Sequence, residues 1–443
     1  MASWWAVLRQ RLGSLWSPNP DAEIRLRLRL PVLWIAGLVA AALLLPDRVW
    51  TTLLIGLGGL VLVAYAWARS LSLGLDGDRR LRYGWVSVGD RLEEAFSLVN
   101  RSLFPALWVE IVDDSNVPGY EASVVHTVGG RETVRWRQSA ICTRRGLYHL
   151  GPWTLRSGDP FGLFVATRRL PALQEIIIHP PVNSRLPIPL PPGQSEGRSR
   201  TTERAWQATV NAAGVRDYHQ NDPYRWIHWP TTARRDQLFV RQFDRDAAGD
   251  VWLVIDCDAA VQLGEGIAGT EEQAVLIAAS LAARAASEYR PVGLAAYGSA
   301  PQVVLPALGQ GQQWSILRAL ALLRADGQVA LGRSLRELAD TAHRGSAVLV
   351  ITPSVSPDWL PALLTLARGG LESHVLLLDR PSYGGEGNTA GLADAVTSMG
   401  FHCHIIRKDD VGRPLLQEER HGFWEFKVTG TGKAVAIRRP TDA

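Results

Sequence analysis

Residues 214–229 read Gly-Val-Arg-Asp-Tyr-His-Gln-Asn-Asp-Pro-Tyr-Arg-Trp-Ile-His-Trp, the densest gathering of charged, aromatic and imidazole side chains in the chain. Three chemistries are open to such a stretch. His228 acting as a general base, oriented by Asp222 or Asp217, would suit a hydrolase. No serine or cysteine stands in an elbow-type nucleophile motif to complete it, and Thr231 and Thr232 are weak substitutes. A zinc site would need His219 and His228 with two further ligands. His402 and His404 exist, but Cys403 between them points to the opposite face of a strand. Nucleic acid would meet arginines and aromatics, yet Asp217, Asp222, Asp236, Asp244 and Asp246 interleave with them and repel phosphate. The expectation is therefore a partner-facing or structural network of Arg216, Tyr218, Asp222, Arg225, His228, Trp229 and Arg234. It would act as a charged clasp between the halves of the chain, with no catalytic residue assigned.

Downstream, residues 246–410 alternate strands with helices. Residues 251–255 are a continuous apolar run, the pattern of a strand buried on both faces. Further strands are expected at 292–297, 347–352, 373–378 and 403–406. Helices are expected at 270–289 (with Thr270 as N-cap), 312–324, 334–343, 357–368 and 390–399. This predicts a doubly wound α/β domain, whose ligands sit at the C-terminal strand ends, where Asp256 and Asp258 fall. No GxGxxG follows a strand and no GxxxxGK[ST] loop occurs, which argues against nucleotide binding.

Upstream, residues 83–185 carry short alternating apolar stretches punctuated by Gly, Asn, Asp and Pro, as in an antiparallel β-sandwich. Residues 186–245 hold a linker and the dense segment; the Pro-rich stretch 180–204 is expected to supply no core. Before the sandwich, residues 31–45 and 49–67 are two apolar runs separated by Pro46-Asp47-Arg48. Both lack charged residues, and they predict a transmembrane helical hairpin over 31–67. Arg9, Arg11, Arg25, Arg27 and Arg29 precede it, and Arg69, Arg79, Arg80 and Arg82 follow it. Positive charge on both flanks puts both termini in the cytoplasm, with residues 1–30 a cytoplasmic segment and 411–443 a C-terminal tail.

The chain has 443 residues, 47 basic against 43 acidic, a formal net charge of +4. That balance is too even to imply nucleic acid. Cys142, Cys257 and Cys403 are far apart and form no disulfide framework, as expected of a reducing compartment.

Arg-Arg-Gly-Leu-Tyr at 144–148, Asp-Pro-Phe-Gly-Leu-Phe at 159–164, Gly-x-Arg-x-Tyr-x-x-x-Asp-x-x-Arg-x-Ile-His-Trp at 214–229 and Ala233-Arg234 resemble the DUF58 family. The resemblance implies a C-terminal domain similar to a von Willebrand factor A domain. It also implies partnership with MoxR-type AAA+ ATPases alongside transglutaminase-like membrane proteins, in a family for which no enzymatic activity is established. Two departures stand out. The family's usual glycine before the motif aspartate is Asn221, which tolerates the same left-handed turn. A von Willebrand A domain holds a divalent cation with Asp-x-Ser-x-Ser, where this chain has Asp256-Cys257-Asp258-Ala259-Ala260, and Thr352-Pro353 stands where a further aspartate is expected. Ala260 offers no oxygen, so only Asp256 and Asp258 remain to hold Mg²⁺, through waters. The favoured expectation is a non-enzymatic, membrane-anchored adaptor without cofactor; the alternative is the hydrolase using His228 with Asp222.

Overall fold

The computed structural model describes residues 21–28, 30–44, 47–82, 86–191, 212–218, 227–235, 237–243, 249–411, 425–428 and 434–438. The chain divides into two compact units, Met1–His179 with Leu415–Ala443, and Pro180–Pro414.

In the first unit, α1 (Leu30–Leu44) and α2 (Arg48–Gly74) are consecutive helices packed on each other. The Asp47 carboxylate caps α2 by accepting from the Val49 N–H at 3.0 Å. Among the described residues only α2 is long and apolar enough to cross a membrane. The 15 residues of α1 rise only about 22 Å, short of a hydrocarbon core of about 30 Å. α2 continues past the expected end at residue 67 because it enters a second environment. Val49, Ile55 and Leu62 are exposed, whereas Ala64, Ala68 and Leu71 are fully buried. The Trp67 indole N–H donates to the Pro105 carbonyl at 3.1 Å and its ring stacks on Phe104. Gly74 ends the helix where a Cβ would lie 2.6 Å from the Ser102 nitrogen, so no larger residue fits that close approach.

The strands of this unit are β1 (Ala22–Leu26), β2 (Leu75–Leu81), β3 (Val86–Ser87), β4 (Arg91–Asn100), β5 (Ala106–Asp113), β6 (Val124–Val128), β7 (Thr133–Ile141), β8 (Gly146–Leu150), β9 (Trp153–Gly158), β10 (Phe164–Leu170) and β11 (Gln174–His179). They form sheets ordered β1-β10-β9-β5-β6, β2-β4-β7 and β3-β11-β8, antiparallel except for β3 with β11. Phe96 of β4 meets Trp153 of β9 edge-on, and the apolar faces share one core. The β-region thus begins earlier than residue 83. β1 lies within the segment read as a cytoplasmic lead-in, and it closes the sheet edge by pairing with β10.

Strand alternation carries one charged residue inward. On β4 the buried positions are Leu92, Glu94, Phe96, Leu98 and Asn100. Glu94 is met by Arg79 of β2, whose guanidinium forks onto both carboxylate oxygens at 2.7 and 2.6 Å and reaches Asp113 at 2.7 Å. The Tyr120 hydroxyl donates to Glu94 from the other side. The Arg79, Glu94 and Asp113 side chains are 6%, 0% and 3% exposed. Arg79, counted above among the basic residues flanking the membrane, is therefore an interior cation. Its neighbours Arg80 and Arg82 pair at the surface with Asp78 and Glu93.

The second unit contains β12 (Ala212–Asp217), α3 (Trp229–Arg235), β13 (Phe239–Phe243), β14 (Val251–Ile255), α4 (Thr270–Ser287), β15 (Val292–Ala296), β16 (Gln302–Ala307), α5 (Gln310–Leu322), α6 (Leu331–Ala339), β17 (Ala347–Thr352), α7 (Leu360–Arg368), β18 (Glu372–Leu378), α8 (Thr389–Ser398) and β19 (His402–Ile406). A six-stranded sheet runs β16-β15-β14-β17-β18-β19, parallel except for the hairpin partner β16. Val251, Leu253 and Ile255 pack with α4 and α5; Trp252 and Val254 pack on the other face with α6, α7 and α8. Two buried faces explain why β14 reads as an unbroken apolar run.

Two expectations change here. Thr270 is the first helical residue, not the cap; its hydroxyl accepts from the Leu263 N–H at 2.9 Å and donates to Gln262 at 2.8 Å. The Pro-rich linker supplies core after all: Leu186, Ile188 and Leu190 are buried with α4, and Arg284 donates to the carbonyls of Leu186 and Ile188. Alternating prolines hold that strap extended, so every second side chain faces the helix. In the tail, β20 (Glu425–Val428) and β21 (Ala434–Arg438) pair antiparallel.

Candidate functional site

The dense segment folds as an antiparallel ribbon carrying a short helix. β12 pairs with β13, placing Arg216 opposite Val240 and Asp217 opposite Phe239. Ile227, 3% exposed, bridges to the fully buried Val240. The helix α3 was not anticipated, although Pro230 in its first turn and Arg234 and Arg235 in its last are ordinary start and stop signals. It lies within the second compact unit.

His228 begins that helix. Its backbone N–H donates to the Phe239 carbonyl at 2.8 Å, and its own carbonyl accepts from the N–H groups of Thr231 and Thr232. Its Nδ1 lies 2.7 Å from the Thr231 hydroxyl and 3.3 Å from the Thr231 nitrogen. The half-buried ring thus does a capping residue's work, with a hydroxyl as its partner. Thr232, considered above as a nucleophile, accepts instead from the Phe239 N–H at 3.1 Å. Tyr218 is half-buried, and its backbone N–H donates to the Leu238 carbonyl. Trp229 is 64% exposed and Arg234 is also exposed. An open depression of about 370 Å³ is lined by Trp229, Thr232, Ala233, Gln237 and Leu238. Asp222, Arg225 and His219 lie outside the described residues, as do Asp236, Asp244 and Asp246. Arg216 is described only through its strand pairing.

Replacing His228 with alanine should cost about 1 kcal/mol, the usual penalty for losing a helix cap. Hydrogen exchange at the amides of Thr231 and Thr232 measures this. Accelerated exchange confined to α3 is the expected result, and unchanged protection would remove the capping role.

A second polar cluster occupies the C-terminal ends of β14 and β17. Across the sheet the chain proceeds one way from β14 to β16 and the other way from β17 to β19. The crevice at that reversal is where open α/β sheets hold ligands. Asp256, 3% exposed, accepts from the Thr352 hydroxyl at 2.6 Å and from the Asp258 N–H at 3.2 Å. Thr352 in turn accepts from the Ser354 N–H at 2.9 Å. Asp258 caps a single turn at Ala259–Val261 by accepting from the Ala260 N–H at 3.0 Å. Burial pushes the Asp256 carboxyl up to about 6, against the opposing pull of its hydrogen bonds to Thr352 and Asp258. Sequence reading placed both aspartates at the strand ends but did not pair Asp256 with Thr352. The available signals were Thr352 at the end of a buried strand and its place, by the family resemblance, at the same cation site as Asp256.

Comparison with known proteins adds the following. Residues 214–379 match the family described as "Protein of unknown function DUF58". The chain is 23% identical to the uncharacterized protein YeaD of Bacillus subtilis over 291 residues, covering 62% of this chain and 69% of that one. It is 29% identical to an uncharacterized protein of Mycobacterium tuberculosis over 159 residues, covering 34% of this chain and only 49% of that relative. Among solved structures, a von Willebrand factor type A protein from Catenulispora acidiphila matches 36% of this chain and 38% of its own, at 16% identity and a TM-score of 0.25.

Proposed function

Since residues 214–379 form a DUF58 region, we propose that this chain is a membrane-anchored adaptor. Its second unit docks a MoxR-type AAA+ ATPase, or that ATPase's client, on the α3 surface. In this reading α1 and α2 form a two-pass anchor in the cytoplasmic membrane with both termini in the cytoplasm, the shorter α1 reaching across because Arg29 snorkels and Pro46 extends its apolar run. The α/β unit is of the von Willebrand factor A type, and transglutaminase-like membrane proteins are neighbours in the same assembly.

The observation that carries the reading is Trp229. A tryptophan within a dense motif, 64% exposed beside an open depression and next to exposed arginines, has the composition of an interface anchor. The anchor half rests on α2, apolar and exposed over its first part and buried in the β-unit over its last. A helix held at one end by a folded core transmits position from bilayer to domain. The hydrolase alternative would use Nε2 of His228, since Nδ1 is engaged with the Thr231 hydroxyl, and its partner Asp222 lies outside the described residues.

The test is affinity capture of the tagged full chain from detergent-solubilised membranes, with and without a non-hydrolysable ATP analogue. An AAA+ ATPase should be recovered with the parent chain and reduced at least about tenfold by Trp229→Ala, the loss of roughly 1.4 kcal/mol or more expected at an interface hot spot. Recovery of no such ATPase, or equal recovery with Trp229→Ala, would remove the proposal.

A further inference from the structure

The edge of the six-stranded sheet carries a constellation that the adaptor reading does not use. Glu372 and His374 stand two residues apart on β18, and His402 and His404 two residues apart on β19. The register pairs His374 directly with His402, so strand alternation puts all four side chains on one face. The ligand atoms of Glu372, His374 and His402 lie within 4.8 Å of one another. His374 Nε2 is 3.0 Å from the Glu372 carboxylate, and the His374 and His402 rings stack with centroids 4.7 Å apart. Their environment grades from inside to outside: the His374 side chain is 10% exposed, Glu372 is 32%, and His402 is on the solvent side of the edge strand. The neighbouring cation Arg290 donates its hydrogen bonds to the carbonyls of Pro191 and Gly249 and meets Glu372 only through the attraction of their charges.

We propose that Glu372, His374 and His402 form a site for a borderline divalent cation of the zinc class, clipping the edge strand β19 to β18. Two imidazoles and one carboxylate are a donor set that zinc accepts with three protein ligands, leaving a fourth position for water or His404. Mg²⁺ and Ca²⁺ demand oxygen donors and are poorly matched to it. Bond lengths of about 2.0–2.1 Å place tetrahedral donors about 3.3 Å apart. Closing from the observed spacing therefore asks for a side-chain rotation of about an ångström or two, which the exposed His402 is free to make. The buried His374, already held by Glu372, supplies the fixed arm. Bridging two strands would also tie down β19, the last strand of its sheet among the described residues. Cys403, which alternation turns to the opposite face, is not a ligand.

The experiment uses the full chain in detergent micelles without a histidine tag, titrated with Zn²⁺ by calorimetry and with Co²⁺ by visible absorption. The expected result is one ion per chain, with cobalt giving the intense bands of a tetrahedral centre and Mg²⁺ giving no heat. His402→Ala and Glu372→Gln should each weaken Zn²⁺ binding at least about tenfold, the lower end of what even an outer partner of a ligand contributes. Cys403→Ser should change nothing. His402 is exposed on an edge strand, so its removal leaves the fold intact, checked by an unchanged circular dichroism spectrum. The proposal is overturned by absence of stoichiometric binding, or by binding that survives both His402→Ala and Glu372→Gln.

Discussion

Arg79→Met should destabilise the β-unit by about 3–5 kcal/mol, enough to unfold a marginal domain at physiological temperature. The reason is what stays behind rather than what is removed. Glu94 and Asp113, 0% and 3% exposed at their side chains, would remain in the core without their cation. Burial works against the Arg79 charge, but the hydrogen bonds to Glu94 and Asp113 outweigh it and hold the guanidinium above its ordinary range. Burial, together with the Glu94 carboxylate, likewise raises the Tyr120 phenol. Arg79→Lys should recover little, since one ammonium cannot fork onto Glu94 and also reach Asp113. The triple change Arg79→Met, Glu94→Gln, Asp113→Asn should recover much of the loss by deleting the stranded charges. Denaturant unfolding in detergent, followed by near-ultraviolet circular dichroism, measures all three. A loss below about 1 kcal/mol for Arg79→Met would mean that water reaches these carboxylates and that they are not buried.

The second large effect concerns Asp256 and runs with pH. An unfolded aspartate titrates near 3.8 and the folded one at about 6. The native state therefore binds the proton more tightly than the unfolded chain. Stability from this group is greatest below about 3.8, falls as pH rises through the window up to about 6, and is lost above it. A shift of that size corresponds to about 3 kcal/mol at most. Asp256→Asn should abolish this slope and leave the protein more stable than the parent at neutral pH by up to that amount. The amide can accept from the Asp258 N–H and donate to Thr352, so the local bonding survives. Denaturation midpoints at several pH values between 4 and 7.5 measure it. Parallel curves for parent and variant would show that Asp256 is not the titrating group.

Much of the second unit is legible in the sequence, and for a physical reason. Strands buried on both faces must be apolar throughout, so residues 251–255 and 347–352 match β14 and β17 residue for residue. The apolar character of α2 was equally plain, because the solvent around a helix dictates its whole surface. The concentration of charge and aromatics at 214–229 was visible too, as was the position of Asp256 and Asp258 at a strand end.

What composition and periodicity could not reveal is which charges are inside and whom they meet. Arg79 and Arg80 are adjacent and chemically identical, yet one is the hub of a buried network and the other pairs at the surface. Only the pairing of β2 with β4 separates them. Asp256 and Thr352 are 96 residues apart and touch because β14 and β17 are neighbours in the sheet. Glu372 and His374 meet His402 for the same reason, through the register of β18 with β19. His228 is recognisable in the sequence as an imidazole, but that its Nδ1 meets the Thr231 hydroxyl at the start of α3 is set by the fold. Local sequence specifies how a segment buries its apolar side, whereas charge pairing and protonation depend on neighbours that long-range strand register alone supplies.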